Sequence, residues 1–346
     1  MKKKVSGKTI FNLVVLVLSL GMLLYFCVSE NGLADLLRNA KDLQYGWLAM
    51  AVVCHLLNLA IDAYMIYIFT RNSHPGYRIR DAVKSSMVGQ FFSAITPFST
   101  GGQPMQVYVM SKQGVSPGVS TSALVQKFLV YQTTIVSYSA IAMMLRFNYF
   151  DTQLSGVMWG FAVFGFASQA FVIVALLVFS FNRKFTHVII TFAFKLLAKL
   201  HFIKNPEERI EGLESQLSYF HDSNRELYKN RRLLLESYVC TAIQLTAMFI
   251  IPYCIYRSFN LSEAPAVDMI CSQAFVTMAS CFIPLPGAAG ASEVSFIGFF
   301  SSLFSDQYVK SAVLLWRIIT FYGNILLTAP FSRLAKQKDT EELATR

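Results

Sequence analysis

Charge is what this chain has least of. Only 14% of its 346 residues are Asp, Glu, Lys or Arg, while 54% are hydrophobic; a soluble domain carries about a quarter charged residues. So few charges cannot build a water-facing skin, so lipid replaces water over much of the surface. Enzyme signatures are also missing. There is no Walker loop, no HExxH, no GxSxG and no carboxylate pair outside the apolar runs, which argues against nucleotide-driven work and the common hydrolytic chemistries. The six cysteines form no CxxC and have no His set beside them; they read as small buried hydrophobes, with no metal and no cofactor. The net charge of +10 is spread over loops and gathers in no basic groove. That disfavours nucleic acid as a partner and fits an anionic inner leaflet.

Long apolar runs are what the chain does have. Full spans are expected at 10–28, 46–69, 117–145, 155–181, 233–256 and 311–331, each near the roughly 20 residues that cross a hydrocarbon core. The first run exceeds the ~7–15 residues of a signal peptide core and no A-x-A site follows it, so it is read as a retained helix. Lys2, Lys3 and Lys4 place the N-terminus in the cytoplasm, and Arg333, Lys336 and Lys338 the C-terminus. Arg71, Arg78, Arg80 and Lys84 hold loop 71–84 inside, as ten Lys or Arg do for 182–232. Parity then requires the interrupted regions 83–112 and 264–304 each to enter and leave on one side. Arms 83–97 and 292–304 are too short, at 1.5 Å per residue, for ~30 Å of hydrocarbon. Re-entrant hairpins are therefore expected, although 264–283 is long enough to span.

The expected fold is an all-α polytopic bundle in one transmembrane domain, 1–346: about six full spans plus two re-entrant broken-helix hairpins. Residues 46–145 form one inverted half and 233–331 the other, joined by a cytoplasmic helical connector, 182–232. Within the connector, 184–203 is amphipathic and suited to lie on the leaflet, and Asn205-Pro206-Glu207-Glu208 starts a further helix; a solvated helix is the plainest reading of it.

The hairpins break at Thr96-Pro97-Phe98-Ser99-Thr100-Gly101-Gly102-Gln103-Pro104 and at Ile283-Pro284-Leu285-Pro286-Gly287-Ala288-Ala289-Gly290-Ala291-Ser292-Glu293. Proline removes a donor and glycine frees the backbone, so neither stretch continues a helix. Unpaired backbone at membrane depth must be buried in protein or line a wet cavity. A helix starting near Ser292 aims its positive end at the break, a place for an anion; a surface turn is the alternative. Charged groups at depth are costly and usually functional. Asp62, Lys127, Glu293 and Arg317 qualify, with snorkelling of Lys127 and Arg317, or structural ion pairs with Asp62 and Glu293, as alternatives. The candidate headgroup-binding residues are Thr96, Gly101, Gly102, Gln103, Lys127, Gly290, Ser292, Glu293 and Arg317; Asp62 is assigned to an ion pair or to coupling. Gln90, Gln106, Gln126 and Gln132 add hydrogen-bonding groups, and His55 reads as a packed core histidine.

The two broken motifs, with Lys127 in its span and Trp316-Arg317 in the last, resemble the transmembrane (flippase) domain family of lysylphosphatidylglycerol synthases over about 10–335. The resemblance implies a cell-membrane protein that moves an aminoacylated or otherwise modified phospholipid between leaflets. Larger members continue into an aminoacyl-transferase domain; the sequence stops at Arg346, so transferase activity is not expected of it. Membrane phospholipid is the expected partner, with a separate lipid-modifying enzyme and a second copy of the chain left open. Two other readings remain: a phosphatidylglycerol lysyltransferase or its membrane subunit, and an ion-coupled small-solute transporter.

Overall fold

The computed structural model describes residues 43–146, 156–199, 206–281, 283 and 285–335. The expected first span, 10–28, lies outside them. The described chain is an all-α bundle. Helix α1 (Tyr45–Ser73) is followed by a first hairpin, α2 (Ile79–Ile95) and α3 (Gly102–Lys112), and then by α4 (Pro117–Leu145). Helices α5 (Gly156–Phe181), α6 (Arg183–Lys199) and α7 (Pro206–Lys229) connect to α8 (Arg231–Phe249) and its continuation α9 (Ile251–Ser258). A second hairpin, α10 (Ala266–Ser280) and α11 (Ala291–Phe300), leads into α12 (Asp306–Arg317) and α13 (Gly323–Thr328). Five segments are long and apolar enough to span: Tyr45–Ser73, Pro117–Leu145, Val163–Phe181, Arg231–Ser258 and Gln307–Leu334. They coincide with five of the six expected spans.

Local chemistry sets the helix ends. Ser116 accepts the Val119 N–H at the start of α4, with Pro117 at the first helical position, and Asn230 accepts the Leu233 N–H at the start of α8. The hairpin arms are short, with α2 at 17 residues, α3 at 11, α10 at 15 and α11 at 10. At 1.5 Å per residue none reaches ~30 Å. The arms of the first hairpin approach closely because two residues lack a Cβ. One added at Gly102 would lie 2.7 Å from the Gly89 carbonyl oxygen, and one at Gly89 2.1 Å from Gln106 Nε2.

The two breaks touch each other and over four residues follow the same backbone path. Thr96 is extended, Pro97 follows, and Phe98 and Ser99 are left-handed at φ 52° and 55°. Leu285 is extended, Pro286 follows, and Gly287 and Ala288 are left-handed at φ 60° and 49°. Their hydrogen bonds match as well. Ser99 donates to the Thr96 carbonyl and Thr100 to that of Pro97; Ala288 donates to Leu285 and Ala289 to Pro286. Left-handed backbone costs roughly 1–2 kcal/mol at a residue with a Cβ, so Phe98, Ser99 and Ala288 are held there by their surroundings. Each hairpin is clasped by the other half: α2 packs on α13, and α10 on α4.

Packing is uneven. The largest core gathers around α10, α11 and α12, where Phe296 stacks on Phe300 at 4.2 Å between ring centroids and meets Trp316 in a tilted contact at 5.1 Å. The first half holds smaller clusters, around Met65 and Phe69 and around Ile66 and Met110. Helix α5 is peripheral, with only 11% of its apolar window buried. Helix α7 is not simply solvated. It packs on α4, and Phe220, His221, Ser223 and Asn224 are buried. Asn224 Oδ1 accepts from Ser122 Oγ at 2.7 Å and Gln126 Nε2 at 2.9 Å. Polar residues on one face of the connector, spaced to meet polar residues of a span, explain the departure from a solvated helix.

Candidate functional site

Two ion pairs stand beside the two breaks. In the first half, Lys127 Nζ lies 2.5 Å from Asp62 Oδ1, and Ser86 Oγ donates to Asp62 Oδ2 at 2.5 Å. Asp62 comes from α1, Ser86 from α2 and Lys127 from α4, so one carboxylate ties three helices. In the second half, Arg317 Nε donates to Glu293 Oε1 at 2.7 Å, and Glu293 Oε2 accepts the Gly290 N–H at 2.7 Å. The Arg317 guanidinium also lies 5.2 Å from the Trp316 ring centroid and 5.3 Å from that of Phe321. Just beyond it the helix widens into a π-turn, Ile318–Tyr322, a departure common at functional sites.

The pairs differ in what surrounds them. Asp62 and Lys127 line a cavity of about 700 Å³, within the ~300–1,000 Å³ of ligand sites. Its walls come from α1, α2, the first turn, α3, α4, α8 and α10, so both halves contribute. Polar side chains are set among apolar ones in the wall: the carboxamides of Asn58, Gln90, Gln103, Gln106, Gln244 and Gln273, with hydroxyls from Ser93, Ser99, Thr100, Tyr131 and Thr277. Phe98, Phe128 and Phe249 add apolar faces. Gln244 Nε2 donates to Asn58 Oδ1 at 3.0 Å. Gln273 Oε1 is buried and has no hydrogen-bond partner among the described residues.

The structure therefore sorts the residues singled out in the sequence. Gln103, Lys127 and Asp62 line the cavity, as do Gln90 and Gln106. Thr96, Gly101 and Gly102 form the turn behind it: Thr96 Oγ1 accepts the Gly101 N–H at 2.9 Å, and Gly102 is buried against α2. Gly290, Ser292, Glu293 and Arg317 are not in that wall. The α11 terminus expected to receive an anion holds the chain's own Glu293 carboxylate, and Ser292 Oγ donates back to the Gly287 and Ala288 carbonyls. Gln126 turns to Asn224, and Gln132 donates to Gln169 at 2.8 Å. His55 is buried, and neither ring nitrogen has a partner among the described residues.

Sequence reasoning passed over Asn58, Ser86, Gln244, Gln273 and Thr277. Each is a polar residue inside an apolar run, the same signal that drew attention to Gln106. Asp268, in the first turn of α10, pairs with Arg146, beyond the end of α4, at 2.5 Å.

Comparison with known proteins agrees with this architecture. A "UPF0104 membrane protein" of Archaeoglobus fulgidus is 26% identical over 271 residues, covering 75% of this chain and 77% of that protein. Residues 12–328 match the family described as the lysylphosphatidylglycerol synthase TM region, so this chain is a membrane protein belonging to that family, which is consistent with a lipid-related role.

Proposed function

We propose that this chain is a lipid translocator of the cell membrane. It takes the headgroup of an aminoacylated or otherwise modified phospholipid into the cavity and leaves the acyl tails in lipid. The observation that carries the reading is the 700 Å³ cavity, walled by amides and an ion pair, inside a bundle of apolar spans. A bare headgroup in hydrocarbon loses its hydrogen bonds at a cost of several kcal/mol per group; amide and hydroxyl walls replace the water it leaves. Two broken hairpins whose turns touch each other support the reading, because transporters place substrate sites at such breaks. Membership of the family supports it at the coarser level of a lipid-related protein. Sidedness follows the Lys and Arg distribution, with both termini and 182–232 on the cytoplasmic face.

The test is a leaflet assay. Full-length protein goes into liposomes with trace fluorescent phospholipids, and dithionite bleaches only the outer leaflet. The reading requires bleaching beyond the outer-leaflet half of the label, in proportion to protein, and at least tenfold slower loss with Asp62→Asn. Bleaching that stops at half for every lipid tried, aminoacyl lipids included, overturns it.

A further inference from the structure

The connector offers a second contact with lipid, apart from the cavity. We infer that α6 docks on the cytoplasmic leaflet and selects anionic lipid there, with an apolar arc among the tails and its bases at the headgroups. This rests on the cytoplasmic placement of 182–232 proposed above and not on the cavity.

Helix α5 ends at Phe181 and α6 begins at Arg183. The 26 residues of α5 cover about 39 Å at 1.5 Å per residue, more than the ~30 Å of hydrocarbon, so α6 starts at the membrane surface. One face of α6 is used by the protein. Thr186 is buried and donates to the Phe179 carbonyl at 2.6 Å, and Ile190 lines a groove shared with α4, α5 and α7. Another arc has no cover among the described residues. Phe185, Val188, Ile189 and Phe192 are all exposed, at the i, i+3, i+4, i+7 spacing of one helix face. Exposed apolar residues continue back at spacings of three and four through Phe181, Val178, Val174 and Phe171 on α5. The stripe that the span turns to lipid therefore runs on into α6.

Charge decides what covers the arc. Helix α6 carries four bases, Arg183, Lys184, Lys195 and Lys199, and no acid. Helix α7 has six acids against three bases. The connector thus separates its charge along the chain, basic where it leaves the bilayer and acidic where it packs on α4. A second copy docking α6 on α6 would set base against base. A neutral lipid surface would take the apolar arc and leave the bases without counter-charge. An anionic leaflet satisfies both, because Lys and Arg bury their methylene stems while the charge reaches the phosphates. Arg183 already has Asp222 of α7 at 2.5 Å; Lys184 and Lys195 are assigned the leaflet contact.

The experiment uses the whole chain, with one tryptophan added per variant, in vesicles of plain phosphatidylcholine mixed with phosphatidylcholine brominated on its acyl chains. Quenching is read as the difference from the unsubstituted protein, which removes the signal of the native tryptophans. Bromolipid should quench Val188→Trp at least twofold more than His187→Trp, which lies off the apolar arc, and acrylamide in the water should reverse the order. At fixed bromolipid, exchanging plain phosphatidylcholine for phosphatidylglycerol should raise the Val188→Trp quenching by at least half. Lys184→Gln with Lys195→Gln should abolish that rise and keep the order of the two positions. Phe192→Trp repeats the test if the Val188 variant fails to fold. Equal acrylamide access at both positions overturns the inference. So does protection of Val188→Trp from both quenchers, the result a second copy or another protein on this face would give. So does quenching indifferent to phosphatidylglycerol or to the two lysines. Asp62→Asn should leave every reading unchanged; a lost response in that variant assigns the lipid effect to the cavity and overturns the inference as well.

Discussion

The two breaks share a backbone and differ in almost everything attached to it. Pro97 and Pro286 are 189 residues apart, and the turns share a dihedral pattern from Thr96 to Ser99 and from Leu285 to Ala288, with matching hydrogen bonds, before Gly101 and Gly290 part, right-handed and at φ 85°. Beyond the turn, the first half places Gln103 and Gln106 on α3 beside a cavity, while the second places Phe296, Phe299 and Phe300 on α11 in the main core. Glu293 caps its own helix and is held by Arg317, whereas Asp62 and Lys127 reach each other from separate helices at a cavity wall. The comparison shows that the broken turn by itself makes no binding site. Amides make one half receptive; phenylalanines make the other a closed brace.

The largest effect should come from breaking the closed pair. In Arg317→Met the buried Glu293 loses its counter-ion, and removing one member of a buried pair costs about 3–5 kcal/mol. Thermal unfolding of the purified chain should show a large drop, and adding Glu293→Gln should recover most of it. Asp62→Asn probes the other pair, where Lys127 is the more exposed partner, with 17% of its side chain accessible. It should cost about 1–3 kcal/mol at most and act mainly on leaflet exchange. Equal destabilisation by the two variants would erase the distinction between brace and site.

Glycine placement sharpens the comparison further. A Cβ at Gly287 would lie 2.3 Å from Phe321 Cε2, at φ 60°, so Gly287→Ala should destabilise by about 1–3 kcal/mol. Phe98 has the same left-handed backbone but is largely exposed. Phe98→Gly relieves the strain and should be neutral or stabilising by up to about 1 kcal/mol in the same unfolding assay.

The smallest effect concerns the connector, which docks on α4 of the receptive half. His221 on α7 is pushed below its ordinary 6.5, chiefly by burial and also by Arg183, against the Ser180 carbonyl and Asp222, which raise it. A depressed folded value means that the unfolded chain binds the proton more readily. His221 therefore favours the docked state fully above about pH 6.5, and that contribution is lost as pH falls toward the folded value. The protection factors of α4 amides, each taken against the intrinsic exchange rate at its own pH, should fall modestly at pH 5.5 relative to pH 7.5, while those of α12 stay unchanged and His221→Gln flattens the response.

Much of this was legible in the chain before folding. Low charge and ~20-residue apolar runs give the spans, because hydrocarbon excludes unpaired backbone irrespective of neighbours. Pro97 and Pro286 mark the breaks because a missing N–H is a local fact. Asp62, Lys127, Glu293 and Arg317 stand out because charge at depth is costly wherever it falls. The partners were not legible: nothing local links Asp62 to Lys127, or Asp268 to Arg146, since pairing depends on which helices become neighbours. Gln126 and Gln106 look alike in sequence, yet one turns to the connector and the other to the cavity.

The sequence by itself thus determined a helical membrane bundle with two broken hairpins and the positions of its buried charges, since each follows from the solvent and from short-range backbone chemistry. Only the tertiary structure decided that the breaks meet, that one half opens into an amide-lined cavity, and that the other closes on Glu293 and Arg317. Those outcomes depend on side chains far apart in the chain filling, or leaving unfilled, the same volume.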